Sequence, residues 1–191
     1  EFIEMIQRMS VGVDIRLYGE GLLQSMVAMH AAMAAGNGDG GVPGMVERPT
    51  GMLFPASDNQ WQTLGGQSAD ILSECLDHTP GRGVVVQAGG NVGILANGLA
   101  QKFHHVYTFE PDDDNFRCLD HNVVAENVTK RRAALGQSTD CGVSLEKMPT
   151  NCGSHNNNGV GAIPVEPIDG LELDACDLIC LDIEGYELFA L

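Results

Sequence analysis

A chain of 191 residues with 43% apolar side chains is long enough and apolar enough for one globular domain with a real core. Ten basic residues stand against 26 acidic ones, a formal net charge of −16. That balance argues against binding a phosphate backbone or an anionic membrane surface, and leaves a small or neutral substrate, with the acidity itself a solubility feature.

The N-terminal stretch is rich in Met, Ala, Leu and Gln. Phe2, Ile3, Ile6 and Met9 share one helical face, and Leu22, Met26, Met29 and Met33 share another. Between them, Val11 to Tyr18 alternates and suits a short strand. Ordinary core explains a methionine stripe more economically than an adaptable binding surface does. His30 reads as a surface or satisfied histidine. Residues 36–44 are glycine-rich and read as a flexible linker. They lack both the Gly-Lys-Ser/Thr ending and the preceding strand of a P-loop. Residues 1–49 are therefore expected to form a helical extension with its linker, and residues 50–191 the main domain. Within that domain a helix is expected from about Ser68 to His78, with Ile71, Leu72, Cys75 and Leu76 as its apolar face and Pro80-Gly81 beyond its end.

The most informative stretch is Val84-Val85-Val86-Gln87-Ala88-Gly89-Gly90-Asn91-Val92-Gly93. A β-branched run, a turn with three glycines and an apolar-periodic segment read as strand, tight turn and helix. Glycines serve there where a ligand approaches the backbone and where helix and strand pack closely. The helix start is expected to aim free N–H groups over the turn. Val92, Leu95, Leu99 and Phe103 recur at helical spacing. A second strand, His105 to Glu110, ends in an acid about 20 residues beyond the first glycine, a spacing that suits a pair of ribose hydroxyls. Asp112, Asp113 and Asp114 fit a helix start better than a metal site, because adjacent acids on a helix face different ways. Asn127 to Leu135 reads as a third strand.

Residues 137–161 are polar and read as a long loop, in which His155 is either a base or substrate hydrogen-bond donor, or simply a surface tip. Ile163 to Glu166 is a short strand. Asp177 to Leu181 is a buried parallel strand with Asp182 and Glu184 at its carboxyl end, where open α/β sheets place their ligands. The plainer alternative for those two acids is a pair stabilising the turn into a helix. The alternation of strand and helix from residue 83 onward is a doubly wound parallel α/β pattern. Six cysteines without a C-x-x-C pair read as structural thiols. With no signal peptide or membrane span in view, a cytoplasmic location is expected.

Three blocks carry a family resemblance: Val86 to Gly93; Thr108-Phe109-Glu110-Pro111 with Asn115, Phe116 and Leu119; and Asp177 to Glu187 with its Asp-Ile-Glu-Gly-Tyr-Glu core. In order and spacing they resemble the FkbM family of S-adenosylmethionine-dependent methyltransferases, over about residues 51–191. The resemblance implies a Rossmann-like, mostly parallel sheet of the class I methyltransferase type, S-adenosylmethionine as cofactor, and O-methylation of a hydroxyl on a small molecule or glycan. It implies that Gly89, Gly90, Asn91 and Gly93 line the methionine and ribose part of the cofactor. Glu110, followed by Pro111, takes the ribose hydroxyls, Ala134 lies near the adenine, and Asp182 and Glu184 face the reaction centre. Asp182 is then the first candidate base and His155 the second, with Glu184 alternatively holding a substrate hydroxyl. Gln87 stands where the family usually carries an acid that helps hold the methionine end, so Gln87→Asp is expected to strengthen cofactor binding. The family domain continues past this block with further strands. The chain is therefore expected to lack them, leaving the strand before Asp182 with an open edge suited to an oligomer contact. Two rival readings remain: a nicotinamide-dependent oxidoreductase, since residues 88–93 depart from G-x-G-x-x-G only at the first position, and a non-catalytic binding domain.

Overall fold

The computed structural model describes residues 43–191 except Ser138 and Pro149. The expected N-terminal helical faces, the alternating stretch at 11–18, His30 and most of the linker lie outside the described residues. The elements in chain order are strands β1 (Met45–Glu47) and β2 (Leu53–Pro55), helix α1 (Trp61–His78), β3 (Val84–Ala88), α2 (Ile94–Ala100), β4 (His105–Phe109) and α3 (Asp113–Asn122). Then come β5 (Val128–Arg131), β6 (Ala134–Leu135), β7 (Gly142–Glu146), β8 (Asn156–Gly161), β9 (Val165–Glu166), a 3₁₀ turn (Ile168–Leu171), β10 (Leu178–Leu181) and α4 (Glu187–Ala190).

The centre is a four-stranded parallel sheet in the order β10-β3-β4-β5. The valines of β3 explain its interior place. Val85 packs with Leu95, Leu99, Phe103 and Val106 on one face, under Ile71, Leu72 and Leu76 of α1. Val86 points the other way, into Ala88, Phe109, Ala133 and Leu135. Successive side chains alternate, so a strand with cover on both sides is apolar at consecutive positions. The helical face expected on α1 and the run Leu95, Leu99, Phe103 meet as the sequence implies.

Several elements depart from expectation. Helix α1 begins at Trp61 rather than near Ser68 and carries Gly65 and Gly66 inside it. A Cβ at either glycine would meet nothing within 4 Å, so they cost helix propensity, about 1 kcal/mol each relative to alanine, without any packing gain. Trp61 and Leu64 offset this by packing against Met45, Leu53, Phe54, Val92, Cys118 and Cys152. The same cluster carries β1 across the expected division at residue 49: β1 pairs antiparallel with β2, and Asn122 at the end of α3 clamps β2 through both its amide N–H and carbonyl. The expected strand 127–135 is two strands. It breaks at Arg132-Ala133, and β6 leaves the main sheet to pair with β9. The expected loop 137–161 contains an antiparallel hairpin, β7 with β8, whose register shifts between Val143 and Leu145.

Among the described residues, β10 pairs only with β3. Strand β2 pairs with β1 instead. All six cysteines are free thiols, with Cys118, Cys152 and Cys180 buried. No described helix is long and apolar enough to cross a membrane.

At the end of β3 the chain turns at Gly89, with φ of 84°, against the end of β10. A Cβ at Gly89 would lie 2.1 Å from the Asp182 carbonyl oxygen, so neither the backbone nor the space admits a side chain. Gly89→Ala is expected to lower the unfolding free energy by at least about 2 kcal/mol, measured by urea denaturation. A change within error would show that the turn and β10 are not held this close.

Candidate functional site

The carboxyl ends of β3, β4 and β10 open into one cleft of about 730 Å³, counting the part continuous with solvent. Of the residues expected at a site, Gly89, Asn91, Glu110, Pro111 and Ala134 line it, and so do His155, Asp182 and Glu184. Gln87, Gly90 and Gly93 do not. A Cβ at Gly90 would run into Leu119 and Thr108, and one at Gly93 into Val123, so these two glycines let the turn seat on α3 and β4.

The turn spends its own donors. Gly89 N–H and Gly90 N–H both reach the Phe109 carbonyl, at 3.1 and 2.8 Å, and Gly93 N–H reaches the Gly90 carbonyl. Asn91 N–H donates to Glu110 Oε2 at 2.6 Å, and Val92 N–H to Asn91 Oδ1. The N–H groups of residues 89–93 are thus engaged within the protein, and what this turn offers is close backbone approach. Asn91 adopts φ of 47° and Glu184 φ of 54°. Left-handed backbone at residues other than glycine is costly, and both positions face the cleft.

Gln87 is fully buried beneath the turn. Its Nε2 donates to the Gly89 carbonyl at 2.7 Å, and its Oε1 accepts from the Thr108 hydroxyl. It braces the strand-to-turn corner from outside the cleft. An acid there cannot donate to Gly89, and it would be a buried charge facing a carbonyl. Gln87→Asp is therefore expected to cost about 2–5 kcal/mol of stability, read from the urea midpoint at neutral pH. An unchanged midpoint would refute this bracing role.

Glu110 is 5% exposed. One oxygen accepts from Asn91 N–H and the other from Asp112 N–H at 2.8 Å. Both bonds favour the carboxylate, yet burial outweighs them and pushes Glu110 from its ordinary 4.5 up to about 7. A carboxyl raised on folding holds its proton more tightly in the native chain. Its contribution to stability is therefore full below pH 4.5 and is lost as pH rises toward 7. Relative to Glu110→Gln, the parent is expected to lose on the order of 3 kcal/mol across that window. Parallel thermal unfolding of the two proteins from pH 4.5 to 7.5 measures it, and parallel curves would mean that Glu110 stays ionised.

At the far wall, Asp182 and Glu184 are exposed at the end of β10. Partial burial and the charges of Asp182 and Glu187 raise Glu184 above the ordinary carboxyl range. Glu187 closes this turn, with Oε1 accepting from Ile183 N–H at 3.3 Å and Gly185 N–H at 3.2 Å. The helix-start reading of the aspartate triplet holds for Asp112, whose Oδ1 accepts from Asp114 and Asn115 N–H.

The hairpin supplies a wall that the sequence did not reveal. Leu145, Cys152, Gly153 and Asn157 line the cleft beside His155. Asn115 Nδ2 donates to the Cys152 carbonyl at 2.7 Å, and Cys152 N–H donates to Asp58 Oδ1, so the connection between β7 and β8 is pinned from two sides. Burial, with Asp58 nearby, pushes the Cys152 thiol well above its ordinary range, which leaves it a packing residue and not a nucleophile. Asp58 carried no motif in the sequence and is marked only by its burial, whereas Asp112 and Asn115 stood in the aspartate triplet and in the second family block.

No family model matches the chain, and no curated protein does. Among solved structures, a protein of Thermoplasma acidophilum is 29% identical over 34% of this chain and 38% of its own, with a TM-score of 0.29. A type II methyltransferase candidate of Anaeromyxobacter dehalogenans is 20% identical over 36% of this chain and 26% of its own, with a TM-score of 0.27. A SAM-dependent methyltransferase of Leishmania major is 18% identical over 42% of this chain and 37% of its own, with a TM-score of 0.35. The chain spans well under half the length of each.

Proposed function

We propose that the chain is an S-adenosylmethionine-dependent methyltransferase acting on a hydroxyl of a small molecule or glycan. The observation that carries this reading is the charge and donor balance of the cleft. Glu110, Asp182 and Glu184 line it together, while the N–H groups of the glycine turn from Gly89 to Gly93 are already taken. A nicotinamide dinucleotide brings a pyrophosphate that needs free donors at this turn and would meet carboxylates instead. A sulfonium is a cation, and acids beside it are favourable. The residues therefore fit the cofactor that the three sequence blocks suggest.

Bound there, the cofactor supplies a methyl group activated on a sulfonium. Gly89 lets the ligand approach the backbone, with Asn91 beside it. Glu110 holds the ribose hydroxyls: each of its oxygens has one lone pair engaged and another left over. Pro111 and Ala134 border the nucleoside end. Asp182, Glu184 and His155 surround the place for the acceptor, where alignment contributes much of the rate and a base removes the hydroxyl proton.

Calorimetric titration with S-adenosylhomocysteine tests the reading. The parent is expected to bind, and Glu110→Gln to bind less tightly by about 1.5–3 kcal/mol, roughly ten- to 150-fold. Binding of a nicotinamide dinucleotide in its place would make the oxidoreductase reading the better one, and binding of neither would favour a non-catalytic domain.

A further inference from the structure

His155 lines the cleft with its side chain only 12% exposed. Its Nδ1 is buried and makes no hydrogen bond, but it lies 3.6 Å from Asp112 Oδ2. Asp112 is 1% exposed and is not part of the cleft wall; it stands behind the imidazole. Two anchors hold that carboxylate in place. Its Oδ1 accepts the first N–H groups of α3 at 2.9 and 3.0 Å, and its Oδ2 lies 2.6 Å from Lys147 Nζ. Lys147 in turn reaches Asp114 at 3.3 Å. The result is a fixed acceptor behind the imidazole ring. A base within the cleft, with an orienting group behind it and outside the cleft, is a recurrent catalytic arrangement. Asp182 and Glu184, by contrast, are exposed carboxylates, and imidazole is the side chain best matched to proton transfer near neutrality.

We propose that Asp112 is a positioning residue for His155: it takes the Nδ1 hydrogen, fixes the tautomer whose Nε2 lone pair faces the cleft, and so makes His155 the group that receives the acceptor's proton. That the proton comes from a hydroxyl rests on the methyltransferase reading; the pairing of Asp112 with His155 does not. The hydroxyl O–H bond breaks as the O–C bond forms and the methyl–sulfur bond breaks, its electron pair staying on sulfur, which leaves as a neutral thioether. The proton passes to Nε2, the imidazolium is balanced by Asp112, and the proton then leaves to solvent. No electron is gained or lost by the protein.

The test is ¹⁵N NMR of histidine-labelled protein without ligand, at a pH where imidazoles are neutral, with His155→Gln identifying the His155 signals. In the parent, Nδ1 is expected at the shift of a protonated nitrogen and Nε2 at that of a bare one. Asp112→Asn keeps a side-chain oxygen for the α3 cap and is expected to lose this pattern, moving Nδ1 toward the bare-nitrogen shift. Carbethoxylation of His155 by diethyl pyrocarbonate, followed by mass spectrometry, is expected to slow several-fold in the same variant. A parent already in the Nε2–H form would overturn the proposal, and this reading needs no Asp112 variant to fold. An Asp112→Asn protein with the parent's tautomer would overturn it too. Failure to bind S-adenosylhomocysteine, with the tautomer result intact, would sink the methyltransferase reading alone.

Discussion

Glu110 accepts one backbone N–H from the turn after β3 and one from the turn after β4. Those two turns belong to different βα units, and a single buried carboxyl ties them together. The tie depends on the parallel register that sets Ala88 opposite Phe109, because Gly89 and Gly90 then share the Phe109 carbonyl and bring Asn91 over Glu110. Burial of the carboxyl costs more than its two hydrogen bonds return. A hydrogen bond to so desolvated an acceptor is stronger than one made in water.

Around this joint the molecule divides its labour by face. One side of the sheet is a conventional interior, with α1 and α2 over Val85 and Val106 and α3 seated on α2 through Leu119 and Val123. The cleft end is assembled from polar side chains that reach across long stretches of sequence. Asn122 holds β2 and Val92, Asn115 holds Cys152, and Asp58 holds both Cys152 and, through its carbonyl, Arg48. Apolar packing fixes the frame, and directional bonds fix the walls.

That division explains what the sequence disclosed. The β3 turn, β4 with its terminal acid, and β10 with Asp182 and Glu184 were legible because their strands carry apolar runs and glycines punctuate the turns, though β10 is not the buried strand expected, with Ile179 41% exposed. The hairpin was not legible. Asn156 to Gly161 has no apolar alternation, so nothing distinguishes it from a loop until its partner strand is in place. The bracing role of Gln87 was not legible, because its bonds to the Gly89 carbonyl and the Thr108 hydroxyl depend on the turn and on the neighbouring strand. A helix start near Ser68 is what intrinsic propensity favours, since it leaves Gly65 and Gly66 outside; Trp61, four positions before Gly65, overrides that preference through tertiary packing.

The interior strand β3 takes its second neighbour from late in the chain: Asp177 N–H bonds the Val84 carbonyl, and the Asp177 carboxylate caps Gly83 and Val84 N–H across separations of 94 and 93 residues. On a ribosome that distance is time. At typical elongation rates β3 and β4 emerge roughly 5–20 s before β10 does. Throughout that interval the most buried strand of the finished sheet has one bare edge, and Val86 lacks the cover that later residues bring. The nascent chain is therefore most vulnerable to association with its neighbours after the glycine turn has been made and before Leu178 arrives.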